Sequence, residues 1–266
     1  INAIQRTSLF KSLLDSVSGF DKRRTLPDYA PEPFYKWFDR NARNQPKQDK
    51  QVVLFADTYL NFHEPNIGIS AFELLSSCGY EVILANVGCC QRPKISHGFL
   101  REAKKDGQKT IDKLKVYLSK GLNVVVCEPS CASALNEDLP DLIVLEELSK
   151  QLKGQVMMID VFLSKEMEAG RLSSKLQLAD GDISIHGHCH QKALYGTSTM
   201  KSCITSNGHS VEEIPSGCCG MAGSFGYEKE HYELSEKIGE SILFPKVRSL
   251  KEGTTVVRSE ERRVGK

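Results

Sequence analysis

From Gln51 onward, short runs rich in β-forming residues alternate with longer stretches of helical apolar spacing, and this alternation restricts the fold strongly. Strands are predicted at residues 52–56, 81–85, 123–127, 156–160, 182–186, 210–214 and 254–257. Helices are predicted at residues 66–78, 97–120, 140–148, 191–206 and 227–250. Strands that alternate with helices form parallel sheets covered by helices, so the expected fold class is α/β.

The same order of elements and motifs occurs twice. Each half reads as strand, loop with metal-ligand residues, helix, strand, vicinal cysteine pair, helix and strand, and Cys89 precedes Cys218 by 129 residues. Self-similarity at a fixed spacing indicates an internal duplication. We therefore expect two similar parallel-sheet halves, at residues 51–150 and 151–257.

The two ends of the chain lie outside this repeat. Residues 1–50 are polar and contain four prolines, so we expect an N-terminal helical arm over residues 4–17 followed by a connector. Residues 258–266 resemble a translated sequencing adapter and are treated as a non-native tail. Because the chain begins at Ile1 rather than Met, we expect a piece of a longer protein.

Composition excludes several functional classes. Of 266 residues, 40% are hydrophobic and 26% charged, which is typical of a globular protein. The chain has 35 Lys and Arg residues and 34 Asp and Glu residues, so we expect no strong positive electrostatic field that would attract nucleic acid. No apolar run reaches the roughly 20 residues of a membrane helix, so no transmembrane segment is expected.

The nine cysteines are the most informative residue type, and two pairs of them are vicinal, Cys89–Cys90 and Cys218–Cys219. Neighbouring Cα atoms lie about 3.8 Å apart across a trans peptide, whereas disulfides need roughly 4.4–6.8 Å. Vicinal disulfides are therefore strained. Two vicinal pairs are better explained as thiolates that bind a metal than as disulfides. The alternative is that they are buried, unreactive cysteines. Reduced cysteines favour a cytoplasmic location.

Residues able to bind metal follow the predicted strands, and ligands of α/β folds bind beyond the carboxyl ends of strands. In the second half, thiols from two loops are expected to converge on one metal group: Cys189, Cys218 and Cys219. The corresponding residues of the first half form a candidate site of mixed chemistry: Asp57, Cys89, Cys90, Glu128 and Cys131.

Several of these residues admit a second interpretation. His186, His188 and His190 alternate around Cys189, and we favour hydrogen bonding around the metal group over direct binding of zinc. Gly220 lets backbone N–H groups approach sulfur, or simply makes a tight turn. Asp57 and Glu128 could act as an acid–base pair, although polar residues at strand ends more often cap a helix.

Two long phrases carry a resemblance to a known family: HGHCHQK at residues 186–192 and CCGMAGSFGYE at residues 218–228. The chain resembles the duplicated cysteine-rich CCG domain that occurs in heterodisulfide reductase, in the glycolate oxidase iron–sulfur protein and in lactate-utilisation proteins. More narrowly, it is similar to the C-terminal part of large FAD-linked oxidases, some of which are D-2-hydroxyglutarate dehydrogenases. The likeness covers about residues 20–257.

The resemblance implies an iron–sulfur electron-transfer module of a flavin-linked 2-hydroxy-acid dehydrogenase. It implies a 4Fe–4S cluster, of non-cubane type, on Cys189, Cys218 and Cys219, with a fourth cysteine expected shortly after Val257. FAD would lie on a part of the protein outside this chain. The implied partners are the FAD domain and a ferredoxin-like segment, through which the module could associate with a membrane. This oxidoreductase component is not expected to turn over substrate alone.

The first half departs from the family pattern. Asp57 stands at the leading cysteine position, Glu128 at the first cysteine of the later CxxC, and Gln91 at the glycine of CCG. Either the carboxylates serve as ligands or this half has lost its cluster; carboxylates are harder ligands than iron–sulfur clusters usually take. The alternative function is a structural docking domain whose cysteines hold zinc or nothing.

Overall fold

A computed structural model describes residues 1–143, 146–172, 181–205 and 210–258. Each predicted strand matches one in this part of the chain, and the strands are β1 (Lys50–Phe55), β2 (Tyr80–Ala85), β3 (Val124–Val126), β4 (Val156–Met158), β5 (Ile183–His186), β6 (Val211–Glu213) and β7 (Thr255–Arg258). The proposed tail lies outside the described residues except for Arg258, which ends β7.

The α-helices of the described residues are α1 (Asn2–Gln5), α2 (Ser8–Val17), α3 (Phe34–Asn41), α4 (Thr58–Phe62), α5 (Pro65–Ser77), α6 (Arg92–Ser96), α7 (Leu100–Leu118), α8 (Pro129–Ser133), α9 (Leu139–Ile143), α10 (Glu146–Gln155), α11 (Ile159–Glu168), α12 (Ser198–Thr205), α13 (Tyr232–Ser241) and α14 (Leu243–Ser249). No helix among these residues is long and apolar enough to cross a membrane.

The strands form two parallel sheets, which confirms the α/β class. One sheet has the order β2–β1–β3–β4 and the other β6–β5–β7. The sequence assigned β4 to the second half, but β4 pairs with β3 through Val124 and Val156. β4 therefore lies at the edge of the first sheet beside β3, after a connection that α10 completes. The division at residues 150 and 151 itself stays a prediction.

Two predicted helices are interrupted. The segment predicted at 191–206 begins as a π-turn over Gln191–Tyr195 and restarts as α12 after Gly196, whose φ of 74° ends the turn. The segment at 227–250 divides into α13 and α14 at Ile242. Residues 140–148 are covered by α9 and by the start of α10, on either side of residues 144–145, which are not described.

The first sheet is buried on both faces. Val53 and Phe55 pack with α7 and α10, whereas Val52 and Leu54 pack with α3, α5 and α11. A parallel sheet covered on both sides consists of almost continuously apolar strands. The second sheet has a smaller core, formed by Ile183, Ile185, Met200 and Ile204.

The connector after α2 is fastened to the loop that follows Cys219. The Asp21 N–H donates to the Tyr227 carbonyl at 2.8 Å, and the Lys229 N–H donates to the Gly19 carbonyl at 2.8 Å. Arg24 donates from Nε to the Gly226 carbonyl at 2.8 Å. These bonds hold the second cysteine loop against the N-terminal part of the chain.

Candidate metal centre

The three cysteines predicted in the second half come together beyond β5 and β6. The Cys218 sulfur accepts hydrogen bonds from the Cys189 and Cys219 thiols, and these bonds lower its pKa strongly. The Gly220 backbone N–H also donates to the Cys218 sulfur, at 3.3 Å. Cys189 is exposed, Cys218 half-buried and Cys219 buried. The site therefore favours a thiolate, which is the form that binds metal.

Gly220 is required at its position by two independent features. Its φ of 85° lies in the left-handed region, which glycine adopts without a steric penalty. A Cβ at this residue would clash with the carbonyl oxygen of Ser235 in α13. Only glycine allows α13 to pack this closely against the cysteine loop.

The histidines around Cys189 are held by hydrogen bonds. His186 is buried, its Nδ1 lies 2.8 Å from Ser216 Oγ, and burial lowers its pKa to about 4. His188 Nδ1 accepts from the His190 backbone N–H at 3.2 Å, and the rings of His188 and His190 stack with centroids 5.5 Å apart. These contacts orient the loop on both sides of Cys189.

Lys192 joins the two cysteine loops of the second half. Its Nζ donates to the carbonyl oxygens of Ser216 and Gly217, the latter at 2.9 Å. Both acceptors directly precede Cys218, whereas Lys192 follows Cys189 by three residues. The ammonium group thus keeps the thiols close by satisfying backbone carbonyls of the opposite loop.

The first-half cysteines also converge, with different chemistry. The Cys90 thiol donates to the Cys131 sulfur at 2.8 Å, and this bond together with burial raises the pKa of Cys90. Donation by Cys89 to Cys90, together with burial, raises the pKa of Cys89 as well. These thiols stay protonated at neutral pH, in contrast to Cys218.

Both carboxylates of the first half cap helices. Asp57 accepts from the backbone N–H groups of Tyr59 and Leu60, at 2.8 and 3.2 Å, at the start of α4. Glu128 accepts from the Ser130 N–H at 3.2 Å at the start of α8. Carboxylates at helix N-termini satisfy donors that the helix leaves open. Asp57 and Glu128 therefore have a structural role that explains their presence without a metal.

The two cysteine sites are linked through His190 by two residues that the sequence did not single out, Arg92 and Ser133. Arg92, directly after the first vicinal pair, donates from Nε to the Ser130 carbonyl at 3.2 Å and from Nη2 to Ser133 Oγ at 2.8 Å. Ser133 Oγ lies 3.1 Å from His190 Nδ1. Burial lowers the pKa of His190. The only feature of the sequence that could have pointed to Ser133 as a site residue is its closeness to the cysteine motif.

The chemistry of the second-half thiols can be compared with the needs of zinc and of an iron–sulfur cluster. A tetrahedral site with Zn–S bonds of about 2.3 Å needs sulfurs roughly 3.8 Å apart. Within the described ranges, Cys189, Cys218 and Cys219 do not form a group with every sulfur pair inside 4.8 Å. Thiolates are the usual ligands of iron–sulfur clusters. The chemistry of these three donors therefore fits such a cluster.

Comparison with known proteins shows dehydrogenase components as relatives, although no family model matches the chain. The chain is 26% identical over 246 residues to one of the subunits of the anaerobic glycerol-3-phosphate dehydrogenase of Escherichia coli K12, covering 91% of this chain and 61% of that protein. It is 24% identical over 196 residues to the D-2-hydroxyglutarate dehydrogenase of Pseudomonas putida, covering 73% of this chain and 18% of that protein.

A third relative is the lactate utilization protein A of a Geobacillus species, 26% identical over 184 residues, covering 66% of this chain and 74% of that protein. The glycerol-3-phosphate dehydrogenase match extends over more of the chain than the D-2-hydroxyglutarate dehydrogenase match on which the sequence resemblance was centred. The chain spans about three fifths of the length of the former relative. The relatives are consistent with the CCG-type iron–sulfur family.

Proposed function

We propose that this chain is the electron-transfer module of a flavin-linked dehydrogenase and that its second half holds one 4Fe–4S cluster, of non-cubane type. The observation that carries this proposal is the convergence of three thiols on a Cys218 sulfur whose pKa is strongly lowered. When bound, the cluster supplies one-electron relay between a flavin and an acceptor.

The residues of the chain have distinct tasks in this proposal. The thiolates of Cys189, Cys218 and Cys219 bind iron. The Gly220 N–H donates to the Cys218 sulfur, and such hydrogen bonds tune the reduction potential of a cluster. Lys192 and the histidines hold the two loops at a fixed separation.

A further ligand can reach the same edge of the second sheet. β7 pairs with β5 in parallel and His186 lies opposite Arg258, so the polypeptide leaves β7 beside the loop of Cys189. A cysteine placed shortly after this strand in the natural protein would complete the ligand set. We propose that the full-length protein supplies its fourth ligand from this point.

The first half is proposed to hold no cluster. Its two carboxylates cap α4 and α8, and its thiols are hydrogen-bonded to one another in the protonated form. The chain would then carry one cluster, with the first half serving as the scaffold against which the second half packs.

The relatives indicate the class of reaction. Their names refer to oxidation of glycerol 3-phosphate or D-2-hydroxyglutarate, or to lactate utilisation, and in each of these compounds a secondary hydroxyl group can be oxidised to a carbonyl. We propose a 2-hydroxy acid or a related hydroxy compound as the substrate of the assembly. Partners would be an FAD domain and a ferredoxin-like segment, in a cytoplasmic assembly that reaches a membrane through those partners.

The test is anaerobic reconstitution of the full-length protein, which carries the proposed fourth ligand, followed by measurement of iron, acid-labile sulfide, zinc and the absorption spectrum. About four irons and four sulfides per chain are expected, together with a broad band near 400 nm. Cys218→Ser should lose the iron, whereas Cys78→Ala, which alters a buried cysteine at the end of α5, should retain it. Zinc without sulfide, or unchanged iron in Cys218→Ser, would refute the proposal.

A further inference from the structure

A buried polar cluster lies where the first sheet meets the loop of Cys189. Asp160, at the start of α11, is only 7% exposed, and Gln191, two residues after Cys189, is fully buried. Gln191 donates from Nε2 to Asp160 Oδ2 at 3.1 Å. Thr199 of α12 donates to the same oxygen at 2.7 Å. The carboxyl group therefore joins α11, which packs against the first sheet, to the segment after Cys189 and to α12.

Two acceptor atoms of this cluster lack donors among the described residues, namely Asp160 Oδ1 and Gln191 Oε1. A buried acceptor without a donor costs about 1–3 kcal/mol. Both atoms belong to groups already joined by one hydrogen bond. A proton on Oδ1 turns one of these two orphaned acceptors into a donor.

Among the described residues, the side chains that donate to the Asp160 carboxylate are uncharged. In the described ranges no Lys, Arg or His forms an ion pair with it. The titratable group that faces it from α12 is Cys203, whose thiol donates to the Asp160 carbonyl at 3.5 Å. Burial is the main cause that raises the pKa of Cys203 to about 11, so this thiol stays neutral.

We propose that Asp160 is a protonated carboxylic acid which, paired with Gln191, positions the Cys189 loop over Cys218. This inference rests on the proposed cluster at those cysteines. The neutral pair anchors the residue that follows the His188–Cys189–His190 turn, so the Cys189 sulfur is fixed from the first sheet as well as through Lys192. Burial also raises the pKa of Asp160, in agreement with the geometry.

The test compares Asp160→Asn, Asp160→Leu and Gln191→Leu in the full-length protein, which carries the proposed fourth ligand. Asn keeps the shape of a protonated acid, with one acceptor and one donor, whereas either Leu removes the pair. Glu166→Gln is the matched control, because Glu166 is a buried carboxyl on the same helix but bonds to Tyr80 and Arg171 instead. The readouts are iron retained against a chelator, the electron paramagnetic resonance spectrum per bound iron, and thermal unfolding.

Asp160→Asn should match the wild type in iron retention and in spectrum. Both Leu variants should lose iron about tenfold more readily, in the range known for groups that orient metal ligands, with an altered spectrum. Glu166→Gln should lower stability without altering the spectrum. Wild-type spectra in both Leu variants would overturn the positioning role, and loss of iron in Asp160→Asn would overturn the protonated state.

The iron-free protein separates this inference from the proposed function. A protonated Asp160 makes the free energy of unfolding fall as pH rises above the unfolded value of about 3.9 and through the raised folded pKa. Asp160→Asn should remove this fall. A wild-type chain that binds no iron refutes the cluster and with it the positioning role, while an equal pH dependence in wild type and Asp160→Asn refutes the protonated acid.

Discussion

Gln91 and Gly220 hold the same backbone conformation at matching positions of the two halves. Their φ angles are 65° and 85°, and each donates its backbone N–H to the sulfur two residues earlier at 3.3 Å. Gln91 is the one non-glycine residue with positive φ among those described. The hydrogen bond from its Nε2 to the Cys89 carbonyl at 2.9 Å offsets part of the cost of that conformation.

Gly220→Ala is expected to destabilise the protein more than Gly223→Ala. Both glycines have positive φ, for which an L-residue costs about 1–2 kcal/mol. Only Gly220 faces a backbone oxygen, that of Ser235, so its variant should lose about 1–3 kcal/mol more. Urea unfolding of the two iron-free variants measures the difference, and equal losses would show that α13 moves away at no cost.

Alkylation should distinguish the thiols of the two halves. Cys218 is half-buried with a strongly lowered pKa, whereas Cys90 is buried with a raised pKa. Thiolates react with iodoacetamide and thiols do not, so Cys218 should be modified well before Cys90 in the folded iron-free chain. Mass spectrometry of peptides over time gives the order. Faster modification of Cys90 would mean that the first half holds the reactive thiol.

The contact between Ser133 and His190 should couple the stability of the two halves. Ser133 Oγ lies 3.1 Å from His190 Nδ1 and accepts from Arg92 at 2.8 Å. Ser133→Ala should cost about 1–2 kcal/mol, and a double-mutant cycle with His190→Phe should show a coupling of about 0.5 kcal/mol or more. Strict additivity in urea unfolding would show that the halves are energetically independent at this contact.

Glu166 should contribute stability that disappears in acid. It accepts from Arg171 Nε at 2.8 Å and from the Tyr80 hydroxyl, and the bond from Arg171 is the main cause of its lowered pKa. Because the folded pKa lies below the unfolded value of 4.5, the contribution is complete above that value and is lost as pH falls through the folded pKa. Glu166→Gln should cost about 1–3 kcal/mol at pH 7.

The difference between wild type and Glu166→Gln should shrink steadily below pH 4.5. Unfolding curves measured at several pH values provide the comparison, with Glu147→Gln as the control because Glu147 is exposed. A constant difference across this range would show that the charge of Glu166 contributes nothing to folding.

Local sequence determined the strands and the edge at which the site lies. Strand periodicity depends on neighbouring residues, so all seven strands and the α/β class followed from the pattern in the region from Gln51 onward. The motifs could be placed after β5 and β6 because parallel strands bring their carboxyl ends to one edge. The convergence of Cys189 and Cys218 follows from that placement.

Tertiary structure alone decided the partners of each element and the chemical state of each group. β4 pairs with β3 in the first sheet, and no local sequence pattern encodes this choice of partner. Asp57 became a helix cap, and Asp160 became a buried group that bonds across the two sheets. Burial and long-range hydrogen bonds set these roles, since both depend on residues that are distant in sequence and meet only in the folded chain.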